Sequence, residues 1–298
     1  MKAFNPQQTD TEVFHHLMMN TVAPRPIAFV SSVSAAGVVN LSPFSFFSCF
    51  PSKPPVLVFS PARHPQDKET LNTLRDAQET GELVINIGNF GLVEQMALTA
   101  TPTQSGIDEF KKVGLSPIAS TLVKPPRVAE VPAAFECRVL EVKPLNGIHL
   151  IFCEILLLHV RENMLDNSGR AVDPTKWEGI ARMGGDWYLR VTPERLFELP
   201  RFLDTQGMGI YKLPAHVLQS KVLTGSNLAR LASLSSHPTQ AEVQEFATEP
   251  RYRYLMQTHQ HNPEEALRQV HLLAKRLLEE NRLKEAWMAL VLATPKGE

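Results

Sequence analysis

Asn40-Leu41-Ser42-Pro43-Phe44-Ser45-Phe46-Phe47-Ser48-Cys49 interleaves small hydroxyl side chains with aromatic rings and breaks the run with a proline. Such a segment can turn polar groups to one side, while Phe44, Phe46 and Phe47 offer apolar surface to a flat ring. An extended apolar stretch at 55–60 follows, then the polar loop Arg63-His64-Pro65-Gln66-Asp67-Lys68-Glu69-Thr70. Lys68, Arg63 and Thr70 are the residue types that grip a phosphate, and Ser60 lies close enough along the chain to join them. Leu71, Leu74 and Ala77 recur at helical spacing behind Asp67, a candidate cap, so free backbone N–H groups should face the same loop.

Taken together with four further motifs, this stretch resembles the flavin reductase-like split-barrel family. The motifs are Pro24-Arg25-Pro26-Ile27-Ala28-Phe29-Val30, Lys68-Glu69-Thr70, Gly81-Glu82-Leu83-Val84-Ile85-Asn86 and Val123-Lys124-Pro125-Pro126-Arg127-Val128-Ala129-Glu130. They run in order across about 24–188. The family includes flavoredoxins and the flavin-reducing components of two-component monooxygenases. The resemblance implies a mainly β fold with helices, an FMN-binding split β-barrel carrying a C-terminal helical extension. It implies FMN as cofactor, held by Ser42, Phe44, Ser45, Phe46, Ser48, Ser60, Arg63, Lys68 and Thr70, and hydride delivered by NAD(P)H. A homodimer, and a monooxygenase or other electron-accepting partner, are implied in the same way.

The composition fits a globular protein: 298 residues, 43% apolar and 20% charged. Thirty basic against 31 acidic side chains leave a net charge of -1, which gives no global field for nucleic acid or an anionic membrane. The first twenty residues lack the basic and apolar regions of a signal peptide, and the longest apolar run, 151–158, is too short to span a bilayer. A soluble cytoplasmic protein is expected. Cys49, Cys137 and Cys153 have neither metal-like nor redox-like spacing and are expected to be buried, reduced thiols.

Strands are expected at 27–33 and from Val38 onward, joined by the turn Ala35-Ala36-Gly37, then at 56–59 and 82–87. The stretch 95–132 is rich in proline and reads as an irregular surface excursion. A hairpin over 135–142 and 149–160 should follow, with a last barrel element between Arg182 and Val191. Asn262-Pro263-Glu264-Glu265 combines a cap, a first-turn proline and acids at the positive helix end. It begins a helical hairpin whose apolar stripes are Leu267, Val270, Ala274 and Leu277, then Leu283, Trp287 and Leu290. Two domains are expected, a barrel over 1–195 and a helical extension over 196–298.

Hydride transfer belongs to a cofactor's own chemistry, so no catalytic acid–base residue is expected, and no metal site. Gly88-Asn89-Phe90-Gly91 lacks the spacing of a dinucleotide fingerprint, which argues against a Rossmann domain. His149 loosely matches a histidine near the nicotinamide in some relatives, and a structural role is its ordinary reading. Arg25, between two prolines, is either an anion contact or a solvated edge residue. Two alternatives stand beside the reductase: a non-enzymatic, flavoredoxin-like electron carrier, and a haem-binding split barrel, which would leave the phosphate loop without a purpose.

Overall fold

The computed structural model describes residues 1–61, 68–101, 108–199, 207, 209–234 and 236–294, with 68–71 described by backbone alone. The chain divides into two compact units, Met1–Phe197 and Glu198–Glu298.

The first unit runs α1 (Thr11–Thr21), β1 (Arg25–Pro26), β2 (Ala28–Val33), β3 (Val39–Phe44), β4 (Phe46–Phe50), β5 (Val56–Ser60), α2 (Lys68–Glu79) and β6 (Glu82–Ile87). It continues through α3 (Val93–Thr99), α4 (Glu109–Val113), β7 (Pro117–Ile118), β8 (Arg127–Val128), β9 (Ala133–Leu145), β10 (Ile148–Val160), β11 (Ile180–Gly184) and β12 (Trp187–Arg190). Seven strands form one antiparallel sheet in the order β3-β2-β6-β9-β10-β5-β4. The two outermost strands, β3 and β4, are consecutive in sequence with Ser45 alone between them. A sheet whose opposite edges are joined by one residue must curl until those edges meet, so connectivity itself dictates a barrel split at Ser45.

Local chemistry sets the registers. Gly37, at φ 81°, turns β2 into β3, and Val30 faces Ser42 across the pair. Asn146 and Gly147 both take positive φ, 45° and 90°, which is the primed turn that matches strand twist and launches β10 back along β9. Side chains alternate between two cores. Val30, Phe44, Leu57, Phe59, Ile85 and Ile151 fill one face, and Phe29, Leu41 and Val84 point to the other.

That second face overturns the expectation for 95–132. Met96, Phe110, Val113, Leu115, Val123 and Val128 are buried against Phe29, Leu41 and Val84, so the described part of the stretch supplies a core layer as well as surface. Between Thr121 and Val128 it lacks periodicity because backbone N–H groups there are satisfied by side chains of the sheet. Glu136 accepts from Thr121 N at 2.8 Å and Leu122 N at 2.6 Å, Asn86 Oδ1 from Val128 N at 2.9 Å, and Glu82 from Lys124 N at 2.9 Å.

Two further expectations are corrected. The element near 182–191 is not a barrel strand: β11 pairs with β1 on one side and β12 on the other in a separate three-stranded sheet, the register slipping between Arg182 and Gly184. Cys49 is exposed, because the outer half of edge strand β4 has no cover; Cys137 and Cys153 are buried, and burial pushes the Cys137 thiol up to about 12.

The second unit is helical: α5 (Ala215–Leu218), α6 (Gly225–Ala232), α7 (Gln240–Phe246), α8 (Pro250–Thr258), α9 (Pro263–Glu279) and α10 (Leu283–Leu292). Asn262 caps α9 by accepting from Glu265 N at 3.1 Å, with Pro263 in the first turn. Asn281, at φ 59°, breaks the chain into the expected helical hairpin. Val270, Leu277, Leu278 and Trp287 centre its core, while Leu267 is only half-buried. His216 Nδ1 lies 3.0 Å from His271 Nε2, whose Nδ1 is 2.9 Å from Ser220 Oγ.

Candidate functional site

A cleft of about 1120 Å³ lies along the barrel seam. Phe44, Ser45, Phe46 and Ser60 form its floor, where the end of β3, the start of β4 and the end of β5 converge. The ring of Phe44 stacks on Phe59 at 5.5 Å, which fixes the apolar side of the floor. Ser60 Oγ is buried and has no hydrogen-bond partner among the described residues. Leaving a hydroxyl so costs about 1–3 kcal/mol, and no described residue supplies the missing acceptor.

A second wall is the three-stranded sheet. Arg25, Arg182 and Tyr188 are successive register partners across β1, β11 and β12, and all three line the cleft. Arg25 Nη1 donates to the carbonyls of Met19, Val22 and Met183 at 2.6, 2.7 and 3.1 Å, tying the end of α1 to β11. Asn20 sits so close to Gly184 that a Cβ there would come within 2.1 Å of Asn20 Oδ1. Held in this way, α1 lays His15, His16 and Met19 along a third side.

Behind the floor, α2 is fastened to the barrel by buried polar pairs. Ser32 Oγ donates to Asp76 Oδ2 at 2.7 Å, and Asn40 meets Thr73 Oγ1 at 2.8 Å. Burial raises the Asp76 carboxyl above its usual range, against the opposing pull of the Ser32 hydrogen bond and Arg75. The carboxylate of Glu109 accepts from Leu41 N beside them.

Of the residues read from the sequence, the structure brings Phe44, Ser45, Phe46 and Ser60 into one cleft. Ser42 is buried on the Val30 face, its hydroxyl also without a partner among the described residues, and does not line the cleft. Ser48 is exposed on β4. Arg63 lies outside the described residues, as do the side chains of Lys68 and Thr70, whose backbone opens α2. Ile148 reaches the cleft, whereas its neighbour His149 does not line it. Arg182, Tyr188 and the α1 histidines are cleft residues that sequence reasoning missed. The alternation in 180–190 hinted at the strands but not at their pairing with Arg25.

A family model described as a flavin reductase like domain matches residues 19–175. The chain belongs to the flavin reductase-like family. Its split barrel is the fold this membership calls for, and the C-terminal helices are carried in addition. An uncharacterized protein of Aquifex aeolicus is 35% identical over 189 residues, which is 63% of this chain and 95% of that one. Among solved structures, nitrilotriacetate monooxygenase component B from Bacillus cereus is similar at 29% identity and a TM-score of 0.61, over 67% of this chain and 98% of that one. The 2-nitrobenzoate 2-nitroreductase of Pseudomonas fluorescens is similar at 26% identity and a TM-score of 0.60, over 69% of this chain and all of that one. The flavin reductase-like match ends well before the helical unit. No helix among the described residues is long and apolar enough to cross a membrane.

Proposed function

We propose that the protein is an NAD(P)H-dependent flavin reductase that binds FMN in the seam cleft. The observation that carries this is the buried Ser60 hydroxyl, without a partner among the described residues, beside an aromatic floor at the point where the two sheet edges meet. The residues present fit a flavin: Phe44 and Phe46 give apolar surface, Ser45 and Ser60 give polar groups, and the volume exceeds the roughly 300–1,000 Å³ typical of a site for one small ligand. Arg63, Lys68 and Thr70 are the residues proposed for the phosphate, at the start of a helix that Ser32 and Asn40 anchor.

When bound, FMN supplies a two-electron acceptor for the hydride that leaves a dihydronicotinamide as it becomes the oxidised pyridinium. The chain's own part is shape. Phe44 and Phe46 exclude water from one side, Ser60 Oγ–H is available to an acceptor atom, and α1 bounds the space in which a second ligand must sit. We further propose that the molecule works as a homodimer and passes reducing equivalents to a free flavin or a partner oxygenase.

The test is a visible spectrum of purified protein, followed by anaerobic addition of NADH or NADPH. Flavin absorbance that bleaches with either donor supports the reading. Bound flavin that neither donor bleaches removes the reductase and leaves an electron carrier. A protein that neither carries nor takes up FMN sinks the flavin assignment itself.

A further inference from the structure

We propose that Arg25, Arg182 and Tyr188 form an anion subsite that receives the phosphate groups of the nicotinamide dinucleotide. The inference rests on the flavin reading above, and deepens it by naming residues that select the hydride donor.

Arg25 and Arg182 are directly opposed on β1 and β11, and like charges facing each other across a strand pair are destabilising. Neither has a carboxylate partner among the described residues. Burial, and then the charge of Arg182, lowers the pKa of Arg25. Arg25 is 7% exposed, and its Nε is buried with no partner, although Nη1 is fully occupied by carbonyls. A repulsive pair kept on the wall of a large cleft is relieved by an anion bound there.

The neighbouring ring prepares one of the two for that task. Arg182 lies with its guanidinium carbon 4.6 Å from the centroid of Tyr188, its partner on β12. Stacking fixes the plane of the fork and leaves its N–H edge free for the paired contact that phosphate oxygens accept. Asp10 and Glu12 also line the cleft, but they stand at the other end of α1. At about 1.5 Å per residue they are roughly 12–15 Å along the helix from Asn20, which packs against Gly184 beside the arginines. The cleft is therefore polarised, cationic at the small sheet and acidic at the start of α1.

The identity of the anion follows from supply and demand for charge. The FMN phosphate is proposed above to sit with Arg63, Lys68 and Thr70, none of which belongs to the small sheet, and the cleft exceeds the volume typical for one small ligand. The second ligand of the proposed reaction carries a pyrophosphate.

The test uses full-length protein loaded with FMN and compares wild type, Arg182→Gln and Arg182→Lys. Calorimetry with ADP-ribose, which has the pyrophosphate and no reactive ring, reads the subsite directly. Removing a charge-assisted contact should weaken ADP-ribose roughly tenfold or more in Arg182→Gln, with partial recovery in Arg182→Lys. The rate preference for NADH over 1-benzyl-1,4-dihydronicotinamide, which has no phosphate, should collapse in the same order, while an FMN titration stays at the wild-type affinity. Equal ADP-ribose affinity in wild type and Arg182→Gln overturns the subsite and leaves the flavin reading standing. So does a loss of FMN affinity that leaves ADP-ribose unaffected, since the pair would then serve the flavin's own phosphate. A wild-type protein that binds no FMN fails at the earlier reading instead.

Discussion

Phe44 ends one edge strand of the seven-stranded sheet and Phe46 begins the other, so two residues that are next-but-one neighbours in the chain bound opposite margins of the sheet. Both line the cleft. The proposed ligand site is therefore made of barrel closure itself rather than of loops added to a finished barrel.

Ser60→Ala separates binding from folding by sign. Losing a buried hydroxyl that has no partner among the described residues should leave the flavin-free protein as stable as before, or more stable by about 1 kcal/mol. The same change should weaken FMN by about tenfold. Thermal melts without flavin and a flavin titration read the two effects; a matched loss in both would mean that Ser60 serves the fold.

Gly184→Ala should disturb α1, since the new methyl would overlap Asn20 and approach its Cα at 3.2 Å. Overpacking of this kind costs about 1–3 kcal/mol. Asn20→Ala in the same chain should recover part of that loss, the remainder being set by the backbone approach. A double-mutant cycle on unfolding midpoints measures the coupling.

Glu136→Ala should be among the most damaging single changes in the first unit. The carboxylate is fully buried, receives Thr121 N and Leu122 N, and stands 2.7 Å from His159 Nε2. Burial alone would raise its pKa, but these donors together hold it below the usual range. A loss of about 3 kcal/mol is expected, with faster amide exchange at Thr121 and Leu122 as the specific signature.

The helical unit should carry an acid sensitivity of its own. Burial, with the charge of His216, brings His271 from 6.5 down to about 4. A histidine whose folded pKa is depressed contributes fully above the unfolded value and loses that contribution as pH falls from about 6.5 towards 4. The loss amounts to on the order of 3 kcal/mol. Ser220 Oγ accepts from Val222 N and Leu223 N at 3.1 and 3.0 Å, so its own proton is left for His271 Nδ1 and a charged imidazole finds no acceptor there. Denaturant titrations between pH 7 and 4 should show the decline in the wild type and a flatter profile in His271→Gln.

The sequence was legible where local chemistry settles structure. The turn at Gly37, the strands at 56–60 and 82–87, the helix carrying Leu74 and Ala77, and the cap at Asn262 all declare themselves within a few residues. Of the aromatic and serine run, Phe44, Ser45 and Phe46 line the cleft, while Ser42 and Ser48 do not. What stayed hidden depends on partners far away in the chain. Thr121 and Leu122 have no strand pattern because Glu136 supplies their acceptor, and Arg25 meets Arg182 only through pairing of distant short strands. Such register cannot be read from alternation, which gives the face of a strand but not its neighbour.

A molecule seated across the Ser45 joint can bind only when the distant β6–β9 and β10–β5 pairings have already formed, because those pairings bring the margins together. If the proposed FMN seats there, its binding stabilises only chains that have already closed correctly and shields them from proteolysis.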